Sequence, residues 1–356
     1  MVVGVIDTGV NQDHQDLAGQ VIPGADHSGG NTDGRVDSDG HGTGMASLIA
    51  GHGHGAEAGV MGLAPKAKIL PLKVGTDGDG TVPQGHGFAD AIRYAADHGA
   101  KVVNIFLGGN YRFDSVLRKA VNYAVSKDVV LVAATGNTGA MDVSYPAAFP
   151  GVVAVGAVDN NGAVWEKSTA GPETTLVAPG VKIYRATAKS STSYGEASGT
   201  SDSTAYVSAT AALIRSKYPD LSAGQVIHRL ITSAAPPANG TVVPNIHYGY
   251  GLLDPAKALA PNPAVDNGPK ENPLVKRPET KGTPPDDDDA TDGPSTAPVV
   301  PGAASGGGGG DGTGLAIAAG VVVVVGVSVA AAVVARRRRA AEGPYPPRPP
   351  YGGAGQ

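Results

Sequence analysis

The sequence predicts a three-layer α/β fold: a mostly parallel sheet with helices on both faces. Two observations carry this. Short, nearly continuous apolar runs rich in Val and Ile recur through the first 258 residues, as strands covered on both faces require. Between them lie segments with apolar residues at helical spacing, and strand–helix alternation implies a parallel sheet with crossover helices.

The runs are Val2–Ile6, Ile69–Val74, Val102–Leu107, Val129–Ala133 and Val152–Val158. Phe88, Ala91, Ile92 and Ala95 form a helical stripe that Gly99 ends, since glycine tolerates the left-handed C-terminal stop. Val116, Leu117, Ala120, Tyr123 and Ala124 repeat the pattern. Ser222 and Gln225 match a capping box that opens a helix through Leu230. Asp254-Pro255 starts another short helix.

After residue 258 the composition changes. Residues 259–313 hold ten Pro, ten Gly, the acidic run Asp286–Asp289 and the glycine run Gly306–Gly310. Such a segment buries too little apolar surface to offset its ordering entropy and is expected to be a disordered spacer. Residues 314–335 contain 21 consecutive uncharged residues, Leu315–Ala335, about 31 Å as a helix and enough to span a bilayer core. Arg336–Arg339 follow at once, and basic flanks stay cytoplasmic. The expected topology is one membrane helix with the front domain outside and a proline-rich cytoplasmic tail over residues 336–356. The net charge of −5 hides this division. Only the Arg run is strongly basic, which argues against nucleic acid as a partner. The chain has no Cys, which excludes disulfides, thiolate metal sites and a Cys nucleophile.

Four motifs carry chemistry. Val5-Ile6-Asp7-Thr8-Gly9 places an acid at the end of an apolar strand. Asp39-Gly40-His41-Gly42-Thr43 places a His at the start of a small-residue helix. Ser198-Gly199-Thr200-Ser201 places a Ser at the start of an apolar helix. A serine hydroxyl needs a base within hydrogen-bond reach, and the base needs an acid to fix its tautomer and stabilise its cation. Asp7, His41 and Ser201 supply those roles in the chain order of the subtilisin triad. Finally, Ala134-Thr135-Gly136-Asn137 sets an amide side chain just after a strand, where it can donate to the oxyanion formed in acyl transfer.

On these motifs the chain resembles the subtilisin-like serine peptidases (subtilases) over residues 1–258. The resemblance implies a seven-stranded, mostly parallel sheet. It makes Asp7 the acid, His41 the base, Ser201 the nucleophile and Asn137 the oxyanion donor. It also makes Val103–Gly109 the edge that pairs with the substrate backbone, with Phe106, Leu107 and Gly108 as contacts. Ser144-Tyr145-Pro146-Ala147 falls at the specificity pocket, with Ser144 as its contact. The implied activity is endopeptidase cleavage of peptides or proteins, without a required cofactor. A structural calcium ion suits the family, but the sequence assigns no ligands. The membrane helix after a proline-rich linker further resembles the mycosins, membrane-anchored subtilases of type VII secretion, and implies secretion-system membrane proteins as partners.

Two residues depart from the family pattern. Asp202 follows the nucleophile where the family has an apolar residue, and Phe106 stands where it has a small serine. They motivate an alternative in which the domain is a weakly active or inactive scaffold of a membrane complex. Asp7 also lies only six residues from Met1 and no signal peptide is visible, so the expected start lies upstream. His52 and His54 have a spacing that suits a metal, yet no acid or third His is near in sequence, and a loop is the better reading. Asp77-Gly-Asp79-Gly is similar to a calcium loop without the later Glu.

Overall fold

The computed structural model describes residues 1–55, 58–75, 86–106 and 108–278. In chain order the elements are β1 (Val2–Asp7), β2 (Ala25–Asp26), α1 (His41–Ala50), β3 (His52–His54), β4 (Ala58–Met61) and β5 (Lys68–Lys73). There follow α2 (His86–Asp97), β6 (Val102–Ile105), α3 (Ser115–Ser126), β7 (Val130–Ala134), β8 (Val153–Val158), β9 (Thr174–Pro179), β10 (Ile183–Ala186) and β11 (Tyr194–Ala197). The chain continues through α4 (Thr200–Lys217), α5 (Ala223–Ser233), α6 (Pro255–Leu259) and α7 (Pro263–Asp266).

The main sheet has seven strands in the order β2-β5-β1-β6-β7-β8-β9, and its ladders are parallel. Alternating residues of each strand face opposite layers. Val3, Val5, Val130 and Val132 point into one core with α1, α4 and α5. Ile6, Val103, Ile105 and Leu131 point into the other with α2 and α3. The five apolar runs all became strands of this sheet. Both edge strands, β2 and β9, escaped the pattern: β2 has only two residues, and β9 opens on Thr174-Thr175.

Strands in such sheets deliver functional residues at their carboxyl ends. Asp7 closes β1, and Thr135 to Asn137 follow β7. The two catalytic helices meet these ends because glycine lets them approach. A Cβ on Gly42 would lie 2.0 Å from the Gly9 carbonyl and 3.0 Å from Asp7 Oδ1. The first turn of α1 therefore rests directly on the end of β1.

Residues 259–278, expected to open the spacer, are ordered instead. They pack on the domain. Arg229 of α5, 1% exposed, donates to both carboxylate oxygens of Asp266 (2.7 and 2.6 Å) and to the carbonyls of Ala258 and Ala260. Leu274 is buried, and Arg277 donates to the carbonyls of Ala147, Phe149 and Glu173 at 2.7–3.0 Å. The proline and glycine content concealed this, because the segment is held by one buried apolar residue, Leu274, and by Arg229 and Arg277 reaching carboxylate and backbone oxygens rather than by a continuous apolar face. Among the described residues no helix is long and apolar enough to cross a membrane. The rest of the expected spacer, the run over 314–335 and the expected tail lie outside the described residues, as do Asp77 and Asp79.

Candidate active site

Asp7 is fully buried at the end of β1. Its carboxylate accepts hydrogen bonds from the Thr8 amide at 2.7 Å and the Thr8 hydroxyl at 3.2 Å. His41 Nδ1 lies 3.1 and 3.0 Å from its two oxygens. Burial pushes the Asp7 carboxyl above its ordinary range, against the pull of His41 and the Thr8 amide. On the far side of the imidazole, Nε2 is 3.1 Å from Ser201 Oγ. Acid, base and nucleophile thus form one connected line.

A second carboxylate, Asp37, holds this line in place. It is buried and accepts five hydrogen bonds: from the Thr8 hydroxyl, the Asp39 and Gly40 amides, and the Thr43 amide and hydroxyl. It therefore ties the residue after Asp7 to the first turn of α1, which begins at His41. Asp39 Oδ1 accepts from the His41 amide at 3.0 Å. Phe106 covers a face of the base, with ring centroids 4.0 Å apart.

Ser201 is 5% exposed in the first turn of α4, where amides and the helix dipole favour negative charge. Asn137 Oδ1 accepts from the amide and hydroxyl of Thr200, each at 2.9 Å. That fixes the side chain and turns its Nδ2 donors toward the nucleophile. A Cβ placed on Gly199 would lie 2.9 Å from Ser201 Oγ and 3.5 Å from both Asn137 Nδ2 and Asp202 Oδ2. These three groups surround one small space, kept open by glycine.

Two of the segments singled out for substrate contact lie together. Gly109 and Tyr145 exchange backbone hydrogen bonds at 3.0 Å. Gly108 faces Ser144, whose Cβ lies 2.7 Å from the Cβ position of that glycine. Gly136, at a φ of +119° that favours glycine, has Ser144 Oγ 3.0 Å from its own Cβ position. Leu107 lies outside the described residues.

Asp202 is 1% exposed and pairs with Arg185 of β10, Nε to Oδ1, at 3.4 Å. Burial pushes its carboxyl up, while Arg185 and then His41 oppose that. Sequence reasoning had no signal for this arginine. It also missed Asp37, although the Asp37-Ser-Asp39-Gly40 run before His41 is a turn signature that could have pointed to it. His54 is tied to Asp16 (Nδ1 to Oδ1, 2.7 Å), and His52 Nδ1 and Nε2 lie 2.7 and 3.1 Å from the Gly53 and Ala18 carbonyls. Among the described residues, no group of three or more His, Cys, Asp or Glu side chains is placed to hold a metal.

A buried acid, a histidine and a serine in hydrogen-bonded sequence, with an amide beside the nucleophile, define a serine peptidase with an Asp–His–Ser triad. The Peptidase_S8 model of the subtilase family matches residues 1–251, and the chain belongs to that family. It is 37% identical over 257 residues to Subtilisin DY of Bacillus licheniformis, spanning 71% of this chain and 88% of the relative. It is 38% identical over 258 residues to thermitase of Thermoactinomyces vulgaris, spanning 72% and 88%. Among solved structures it resembles MycP1 from Mycobacterium smegmatis (29% identity, TM-score 0.65, 80% of this chain and 84% of that one). It also resembles MycP1 from the ESX-1 type VII secretion system (29%, TM-score 0.66, 77% and 83%). The chain is a subtilisin-like serine peptidase.

Proposed function

We propose that this chain is a membrane-anchored, extracytoplasmic serine endopeptidase associated with type VII secretion. The observation that carries the catalytic part is the line Asp7–His41–Ser201, with each gap near 3 Å. Ser201 Oγ attacks the peptide carbonyl carbon while His41 Nε2 accepts the hydroxyl proton. Asp7 holds the imidazole tautomer and stabilises its cation. The oxyanion receives hydrogen bonds from Asn137 Nδ2 and the Ser201 amide. When the C–N bond breaks, His41 returns the proton to the leaving amine, and water then hydrolyses the acyl-enzyme by the same steps.

The membrane part is supported by the uncharged run Leu315–Ala335 and the Arg run that follows. The secretion part is supported by the likeness to MycP1 from the ESX-1 system. Phe106, Gly108 and Ser144, with Leu107 between the first two in sequence, are the proposed substrate contacts. In intact cells, added protease should digest the front domain and spare a C-terminal tag. A front domain that resists digestion until cells are lysed contradicts the topology.

The second reading is a weakly active scaffold, favoured by the buried Asp202 beside the nucleophile. The two differ in a fluorophosphonate experiment on the full-length, membrane-bound chain. Label on Ser201 supports the enzyme. No label, together with a Ser201→Ala chain that still supports its complex, supports the scaffold.

A further inference from the structure

A negative charge next to a serine nucleophile is a liability for acyl transfer, because the transition state places a second negative charge on the substrate oxygen. Asp202, when ionised, is such a charge. It is 1% exposed, and its Oδ2 borders the same Gly199 space as Ser201 Oγ and Asn137 Nδ2. Its Oδ1 accepts no hydrogen bond among the described residues. What faces it is Arg185, whose side chain is 14% exposed.

Arg185 does not reach Asp202 through a hydrogen-bonded fork. The Nε–Oδ1 separation is 3.4 Å, and Nη1 has no partner among the described residues. The contact is one of charge. The side chain is held there by α1, because Gly44 has no Cβ: one would lie 2.7 Å from Arg185 Nη1 and 2.8 Å from its Cδ. The Ala186 amide donates to the Ser47 hydroxyl at 3.1 Å, fastening β10 to the same helix. The guanidinium is therefore wedged between the helix that carries His41 and the helix that carries Ser201. Asp7, Asp37 and Asp39 supply further negative charge around the base, and Arg185 is the cation set against Asp202.

We propose that Arg185 is a positioning residue for peptide hydrolysis: it is the counter-ion that stops Asp202 from opposing the oxyanion. This rests on the peptidase reading and explains how the site tolerates a carboxylate next to its nucleophile. Removing the cation leaves a buried charge uncompensated. Removing both charges returns the site to neutrality.

The test is the set R185Q, R185K and R185Q/D202N in the full-length chain. Turnover of a chromogenic peptide is scaled to sites titrated with a fluorophosphonate. Arg185→Gln is expected to lower kcat about tenfold with KM nearly unchanged. Arg185→Lys keeps the charge and should retain most of kcat. The double variant should recover most of what R185Q loses. Where R185Q does not fold, the double variant is compared with the natural chain, and a kcat within about threefold supports the proposal. The proposal is overturned by an R185Q chain as active as the natural one, by a double variant as slow as R185Q, or by an R185K chain as impaired as R185Q. Each would make Arg185 a packing residue only. A natural chain that neither labels nor turns over refutes the peptidase reading instead.

Discussion

Asp37 and Asn137 carry two different demands of the same reaction. Asp37 has no contact with the nucleophile, yet its five accepted hydrogen bonds set where His41 starts its helix. Asp37→Ala leaves several buried donors without partners and should cost at least about 3 kcal/mol in chemical denaturation, with a lower kcat. Asn137→Ala takes the acceptor from the Thr200 amide and hydroxyl and should cost about 1–3 kcal/mol in stability. It should also lower kcat by about 10²–10³ with little change in KM. That magnitude is the one measured for the oxyanion asparagine of subtilisin itself, a member of the same family. The triad and Asn137 were legible in the sequence because each sits at the border of an element with a local signature. Asp37 and Arg185 were not. Their meaning depends on burial and on partners from other elements, such as the Thr43 and Thr8 donors around Asp37, and no local spacing encodes that.

Among the elements, the capping box at Ser222 was readable and is present, with Ser222 Oγ accepting from Gln225 N and Gln225 Oε1 from Ser222 N. The short pairs β3–β4 and β10–β11 were not readable. They are three or four residues long, polar or glycine-containing, and lie outside the main sheet. The segment over 259–278 shows the same limit from the other side: its composition reads as a spacer, but the buried Arg229 and the half-buried Arg277 help to fix it. Arg229→Met should therefore destabilise the domain by about 3 kcal/mol, because Asp266 and two carbonyls lose their donor. Hydrogen exchange should rise first in α7. Unchanged exchange there would mean that the segment is held by other contacts.

At the scale of the whole molecule, acid stability depends on carboxylates held below their ordinary range. Burial works against the Asp16 carboxylate, but the Val60 amide, His54 and the Tyr194 hydroxyl outweigh it and lower its pKa. The folded state then favours the ionised form more than the unfolded chain does. Its contribution is complete above about pH 4, the unfolded value, and is lost as pH falls through the lower folded value. The stability gap between the natural chain and Asp16→Asn should be full at about pH 6 and shrink below about pH 4. A gap that does not change with pH would remove the ionised Asp16 from the account. The whole fold, in turn, serves to bring a strand end and two helix starts to one point. Active-site labelling tests that most directly. The natural chain treated with a fluorophosphonate should take up one label per folded molecule on Ser201, and none in Ser201→Ala or after heat denaturation. A folded natural chain that takes up no label contradicts the account.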